Sequence, residues 1–398
     1  MSLRILFLHE VNYLVKPIFE MHEFPEHLAA LGHQVGFVQF PEALTNTELS
    51  QTPFSRMILG RVVEGSVLTL YTPKTISGGI VGRLASVLPF SSQFKKILTE
   101  FNPDVVVSFA VPTSGWQALR VCKRARVPFV FRALDVSHKI RKSVFSPLIA
   151  WAERFIYRNA DWVSTNNPAM LEYCTSMGAN KDRGSVELPP LDMSHFDRGL
   201  LESDDLRKRY DIPNDARVTL YMGSFFYFSG LPELIQSFAD TRADGEYLVL
   251  VGGGKQEKRL REQVAVLSME NFVRFTGFVS FEELPSHLHM ADVAVNPMHV
   301  SMVSNAAFPN KVIQYMAAGL PVISTRLDGL VQTFGDNSEL RYVNKSSDIY
   351  PAVQDLFGSK SLVSIGKMNR TAVQDKFSAE QAVRNMETRL QAMIGASS

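Results

Sequence analysis

With 398 residues the chain exceeds what one hydrophobic core usually serves, so two domains of roughly 150–200 residues are expected. Its 45% hydrophobic and 20% charged content is that of a globular protein, and 41 Lys+Arg against 40 Asp+Glu leave a net charge of +1. That balance excludes nucleic-acid binding driven by whole-chain charge, and two distant cysteines, Cys122 and Cys174, give no disulfide framework and suit a reducing compartment.

Short apolar runs alternate with helical patterns along the chain, which implies parallel strands joined by crossover helices. The run at 4–8 reads as a first strand, too short for a signal-peptide core or a membrane span. A helix is expected over 19–31, closed by Gly32, then a strand over 34–40. Residues 42–75 are less regular, with a strand at 66–71. Asn102-Pro103-Asp104 introduces a strand at 105–109, and a helix runs through Arg124. A strand at 128–132 exits at Asp135 and His138, and a helix at 148–159, a strand at 162–165 and a helix at 168–177 complete the unit. Residues 192–215 are polar, contain Pro213 and read as a linker. The pattern then restarts, with strands at 217–222, 247–251, 273–276 and 293–296 and helices at 232–241, 258–268 and 281–290. Helices are also expected over 348–357, 361–376 and 379–393. The domains expected are therefore 1–192 and 193–375, with a C-terminal helix over 376–398 that can return to the first.

The most informative stretch runs from Phe308 to Ser324. Asn310 can cap a helix, Val312, Ile313 and Met316 give it an apolar face, and Gly319 and Pro321 end it before a buried strand at 322–325. Its first turn carries Asn310, Lys311 and Gln314. Free amides and a lysine there make a candidate anion site. Ligands of open parallel sheets sit beyond the carboxyl ends of the strands, so with two sheets the crevice between them is the default site.

These residues resemble a known family. Ala291-Asp292-Val293-Ala294-Val295-Asn296-Pro297, Pro309-Asn310-Lys311 and Tyr315-Met316-Ala317-Ala318-Gly319-Leu320-Pro321-Val322-Ile323 resemble the GT-B glycosyltransferases of family 4, in the subgroup with a Pro-x-Lys signature. The N-terminal half is similar more loosely, through Leu28-Ala29-Ala30-Leu31-Gly32-His33-Gln34-Val35 and Ala160-Asp161. The resemblance implies two Rossmann-like, doubly wound parallel-sheet domains facing a central cleft. It further implies a nucleoside diphosphate sugar (UDP- or GDP-sugar) as co-substrate on the second domain and a glycan or lipid-linked acceptor on the first. Retention of configuration and no metal or other cofactor are also implied. No Asp-x-Asp motif occurs in the sequence.

Within that frame Lys311 would neutralise the donor diphosphate, against a plain reading as a solvated lysine opposed by the helix dipole. Gln314 and Ala306 stand where the family usually has glutamates, and Ser224 and Ser229, in Gly223-Ser224-Phe225-Phe226-Tyr227-Phe228-Ser229-Gly230, where it commonly has arginine and lysine. The resemblance places leaving-group stabilisation with Lys311, the Ser224 and Ser229 hydroxyls and backbone amides of Ala306, Ala307 and Phe308. Gly252-Gly253-Gly254 ends a strand and can bring amides to a nucleotide, or simply make a tight turn. Phe278 and Val279 match the base-binding turn, though Phe278 equally suits a core. On the acceptor side, His9 and Glu10 follow the first strand without the family's glycine-rich loop. Asp135 and His138 read either as a catalytic pair or as a capping carboxylate and a surface histidine; His299 follows Pro297 on the donor side. Cys122 and Cys174 read as core.

Two stretches suggest an anionic membrane surface. Lys139, Arg141, Lys142, Arg154 and Arg158 alternate with Ile140, Val144, Phe145, Leu148, Ile149, Trp151, Phe155 and Ile156, and residues 78–90 are apolar and flexible, flanked by Arg83 and Lys95-Lys96. The reading is a hexosyltransferase of the cytoplasm, or of the inner face of the cell membrane, acting in surface polysaccharide or glycolipid assembly. The replaced donor-site residues leave two alternatives, a catalytically silent binding subunit and a sugar-nucleotide epimerase.

Overall fold

The computed structural model describes residues 1–40, 54–76, 79–110, 114–140, 145–197, 203–336, 340–359 and 361–395. The chain forms two compact units, Met1–Pro190 with Glu380–Ser398, and Leu191–Ala379.

In the first unit the strands are β1 (Arg4–His9), β2 (Gln34–Gln39), β3 (Ser55–Leu59), β4 (Val67–Tyr71), β5 (Val105–Ser108), β6 (Phe129–Ala133), β7 (Trp162–Thr165) and β8 (Gly184–Val186). They lie in the order β3-β4-β2-β1-β5-β6-β7-β8. All pairs are parallel except β3 with β4. Ile5 sits beside Val35 and Val105, so the central strands are apolar on both faces, as a sheet covered by helices requires. The helix Ala379–Gly395 presses Ala382, Val383, Met386 and Leu390 into this core, beside Phe7 and Phe24.

The second unit holds β9 (Arg217–Met222), β10 (Glu246–Val251), β11 (Val273–Gly277), β12 (Val293–Asn296), β13 (Val322–Thr325) and β14 (Arg341–Val343), in the order β11-β10-β9-β12-β13-β14, all parallel. Its core gathers Leu231, Leu234 and Phe238 from one covering helix, Tyr350, Val353 and Phe357 from another, and Leu248, Val293 and Ile323 from the sheet.

Three expectations need correction. The 192–215 stretch is not a free linker: Met193–Asp197 is a 3-10 turn and Ser203–Arg209 a helix, both fastened to the second unit. His195 stacks on Phe281 at 3.8 Å, and Arg207 donates to the carbonyls of Met290, Asn214 and Ala216. Residues 79–90 of the supposedly flexible apolar stretch lie in a helix, Gly79–Phe101, that buries Ser86, Phe90, Phe94 and Ile97 at helical spacing. Gly78 lies outside the described residues. The edge strand β3 escaped notice because its apolar residues do not alternate with burial: Met57 and Leu59 are exposed and only Ile58 packs against the core. Among the described residues no helix is long and apolar enough to cross a membrane.

Candidate functional site

In the second unit, β9 and β10 leave the sheet side by side through glycine. Gly223, Gly252 and Gly254 have φ of +137°, +124° and +149°, which side chains rarely tolerate. A Cβ on Gly252 would also stand 2.2 Å from the Gly223 carbonyl oxygen. The two exits are laced by Gly223 N–H to Val251 O (2.9 Å) and Phe225 N–H to Gly253 O (2.8 Å), while Gly252 N–H donates to Gly277 O (2.9 Å). The glycine run is therefore more than a turn. It is a close meeting of backbones at the carboxyl edge.

The helix Lys311–Ala317 delivers its first side chain there. Lys311 and Tyr315 are one turn apart and face the end of β9. Tyr315 Oη accepts from Met222 N–H at 2.6 Å, and Lys311 Nζ donates to Tyr221 Oη at 3.0 Å while lying 4.1 Å above that ring. The Tyr221 hydroxyl itself donates to the Ser224 carbonyl (3.2 Å). Nζ is so close to Gly223 that a Cβ there would meet it at 2.9 Å. Burial alone, with no neighbouring charge contributing, pushes the Lys311 ammonium down from 10.5 to about 7.

The neighbours assigned from sequence fare unequally. Ser224 and Gln314 are half-buried beside this point, and Phe278, 68% exposed, leans over Gly253, where a Cβ would meet its ring at 3.0 Å. Phe278 is thus not core; Val279 beside it is half-buried. Ser229 is buried and its hydroxyl donates to the Phe226 carbonyl at 2.7 Å, so it has no proton to offer a leaving group. Asn310 does not cap the helix: its backbone is already helical, and its Oδ1 is buried without a partner among the described residues. The short helix Met302–Ala306, capped by Ser301, takes up the Ala307 amide through Val303 O (3.1 Å). Ala306 is buried, and the Phe308 ring stacks with Phe334 and Phe377, so that ring belongs to the core. His299 pairs with Glu233 at 3.0 Å.

In the first unit a pocket of about 80 Å³ opens at the carboxyl ends of β1, β5 and β6 and brings together His9, Glu10, Phe109, Arg132 and Asp135. His9 stacks on Phe109 (5.6 Å), and Glu10 accepts from both the amide and hydroxyl of Ser114 at 2.8 Å. Asp135 and His138 do not form the expected pair. Asp135 accepts from the Ser137 hydroxyl (3.0 Å), whereas His138 Nδ1 contacts Glu153, a fully buried residue of the helix Ser146–Asn159. Burial raises the Glu153 carboxyl to about 8 and, with Lys139 and Arg154, lowers His138.

Sequence reasoning missed Glu153, although a glutamate among Ile149, Ala152 and Ile156 on a helix's apolar face was a visible signal. It also missed Arg132, fully buried on β6, which binds Glu20, donates to Ser164 Oγ (2.7 Å) and the Thr165 and Glu187 carbonyls, and lies 3.7 Å from the Glu187 carboxylate. Cys122 and Cys174 are buried. Among the described residues no group of three or more His, Cys, Asp or Glu side chains could hold a metal ion.

Comparison with known proteins matches the family described as "Glycosyl transferases group 1" over residues 202–356 and that described as "Glycosyl transferase 4-like domain" over residues 21–186. A lipopolysaccharide core biosynthesis glycosyltransferase of Rhizobium meliloti is 25% identical over 61% of this chain and 78% of its own. N-acetyl-alpha-D-glucosaminyl L-malate synthase of Bacillus anthracis is 26% identical over 76% of this chain and 78% of its own. Among solved structures, a sucrose-phosphate synthase of Thermosynechococcus elongatus superposes with a TM-score of 0.80 at 18% identity, covering 98% of this chain and 99% of that one. The Anabaena protein HepE, in complex with UDP-glucose, gives 0.76 at 16% identity over 98% and 99%. Two parallel-sheet units, matched in sequence by these two families and in fold by these structures, make the chain a member of the GT-B glycosyltransferases of the family 4-like type.

Proposed function

We propose that the chain moves a sugar, in the simplest case a hexose, from a nucleoside diphosphate sugar to a hydroxyl acceptor, with retention of configuration and without a metal or other cofactor. The observation that carries this reading is Lys311, a half-buried lysine aimed at a glycine-built strand exit, with no charged partner among the described residues. A donor diphosphate beside Nζ would restore its charge. As the bond from the anomeric carbon to the diphosphate oxygen breaks, negative charge grows on that oxygen, where a fixed ammonium stabilises it most. The acceptor oxygen forms the new bond on the face the diphosphate leaves, and its proton passes to the departing phosphate. Gly223, Gly252, Gly253 and Gly254 let backbone approach the nucleotide, and the orphaned Asn310 Oδ1 suits a hydroxyl of the donor. Phe278 offers an exposed ring beside Gly253 for the base.

Relatives bear on substrate class. One is a lipopolysaccharide core glycosyltransferase, another a putative teichuronic acid biosynthesis glycosyltransferase of Bacillus subtilis, and a third a GDP-mannose-dependent mannosyltransferase of Mycobacterium tuberculosis. Surface polysaccharide or glycolipid assembly from a UDP- or GDP-sugar fits them. The acceptor is assigned to the His9, Glu10 and Asp135 pocket. For a membrane-bound acceptor, Trp151 and Leu148 are exposed on the helix Ser146–Asn159, with Trp116 and Phe155 packed against Trp151 and Arg154 beside them. Ile149 and Ile156 of the same helix are core, and Arg141, Lys142 and Val144 lie outside the described residues.

Lys311→Ala should reduce turnover roughly 10²-fold or more, as for a lost oxyanion donor. Thermal-shift screening of UDP- and GDP-sugars, followed by turnover with and without a hydroxyl acceptor, tests the whole reading. Stabilisation with no turnover would replace it by a silent binding subunit, and interconversion of the free donor without acceptor by an epimerase.

A further inference from the structure

A cavity of about 630 Å³ in the first unit lies at the amino-terminal ends of β6 and β7, the edge opposite the carboxyl ends that hold the His9 pocket. Its lining is strongly one-signed. Lys123, Arg126, Arg183 and Arg389 converge on it against one carboxylate, Asp161, whose Oδ2 already accepts from the Phe129 amide at 2.9 Å. Lys123, Arg126 and Arg183 are exposed and have no carboxylate partner among the described residues. Arg389 lies 4.5 Å over the Trp162 ring, which forms the floor; its Nε is buried without a hydrogen bond, 3.8 Å from Glu187. Arg126 is held at φ +57°, a left-handed conformation better suited to glycine.

Four cations around a concave floor, three of them without a counter-charge, are an electrostatic trap for an anion. Guanidinium groups in the majority favour phosphate, which they bind through paired hydrogen bonds. We infer that this pocket is a phosphate-binding site, separate from the donor site, taking either a soluble phosphate ester or a phospholipid headgroup.

The test uses the full chain carrying Lys311→Ala, so that the donor site does not compete. It is titrated calorimetrically with sodium pyrophosphate and co-sedimented with phosphatidylcholine vesicles with and without phosphatidylglycerol. Pyrophosphate binding assigns a soluble ester; binding only to phosphatidylglycerol vesicles assigns a headgroup; both support the site. Adding Arg126→Gly, which relieves the left-handed backbone, and Arg183→Gln should weaken binding about 25-fold, roughly fivefold per cation removed. Lys123→Ala alone, on an exposed position, should weaken it about fivefold and serves if the double change unfolds. The inference is overturned if neither probe binds, or if these variants bind as tightly as their parent.

Discussion

The carboxyl edges of the two sheets are built in opposite ways. In the second unit, glycine brings the Gly223 and Gly252 backbones together; Glu257 beside Gly253 is paired with Arg261, while Lys311 has no charged partner among the described residues. In the first unit, side chains satisfy one another: Arg132 with Glu20 and Glu187, Glu10 with Ser114, Glu153 with His138. At such an edge the polar groups named already have partners within the fold. An edge that leaves an ammonium desolvated and unmatched stores the cost of that burial until an anion arrives.

The comparison can be broken most severely at Arg132. Arg132→Met leaves Glu20 and Glu187 buried without their cation, and denaturant unfolding should show a loss of about 3–5 kcal/mol. A loss under 1 kcal/mol would show that the network is not what holds the first edge. Next comes Gly252→Ala, where positive φ and a backbone clash combine; a loss of about 2–3 kcal/mol is expected. Gly245→Ala has a φ of +77° but open space around it, and should lose only about 1 kcal/mol. Equal losses would mean that close approach does not shape the second edge. An equally small effect is expected at Ser229→Ala: about 1 kcal/mol of stability, with turnover unchanged, because its hydroxyl serves the Phe226 carbonyl. A large loss of turnover there would return Ser229 to the donor site.

This contrast also explains what could be read in the sequence. Parallel strands such as 217–222 and 293–296 announce themselves as apolar runs, and Gly223, Gly252 and Lys311 carry meaning through position alone. The Arg132 network has no such signature: Glu20, Arg132, Ser164 and Glu187 are scattered over more than 160 residues and meet only in the fold. The His138 partner was misassigned for a related reason. Asp135 is near in sequence, but Glu153 is the residue the helix Ser146–Asn159 turns inward. Ser229 was placed by motif alignment alone, and local packing turned its hydroxyl away. The 192–215 stretch looked like a linker because its anchors, the His195 stack on Phe281, isolated apolar residues such as Phe196 and Ile212, and arginine-to-carbonyl hydrogen bonds, leave no apolar periodicity.

The central claim is that Lys311 receives the donor diphosphate, and its proton balance gives the most direct test. Because folding lowers this lysine from 10.5 to about 7, the unliganded amine is mostly neutral at pH 8 and charged well below pH 7. A bound diphosphate favours the charged form, so binding above pH 7 must take up a proton, and affinity should fall as pH rises. Calorimetric titration with the donor identified by screening, at pH 8 in two buffers of different ionisation enthalpy, measures that uptake. The account predicts close to one proton per donor bound in the wild type and none in Lys311→Ala. Tight binding with no proton uptake, or the same uptake in the variant, would contradict it.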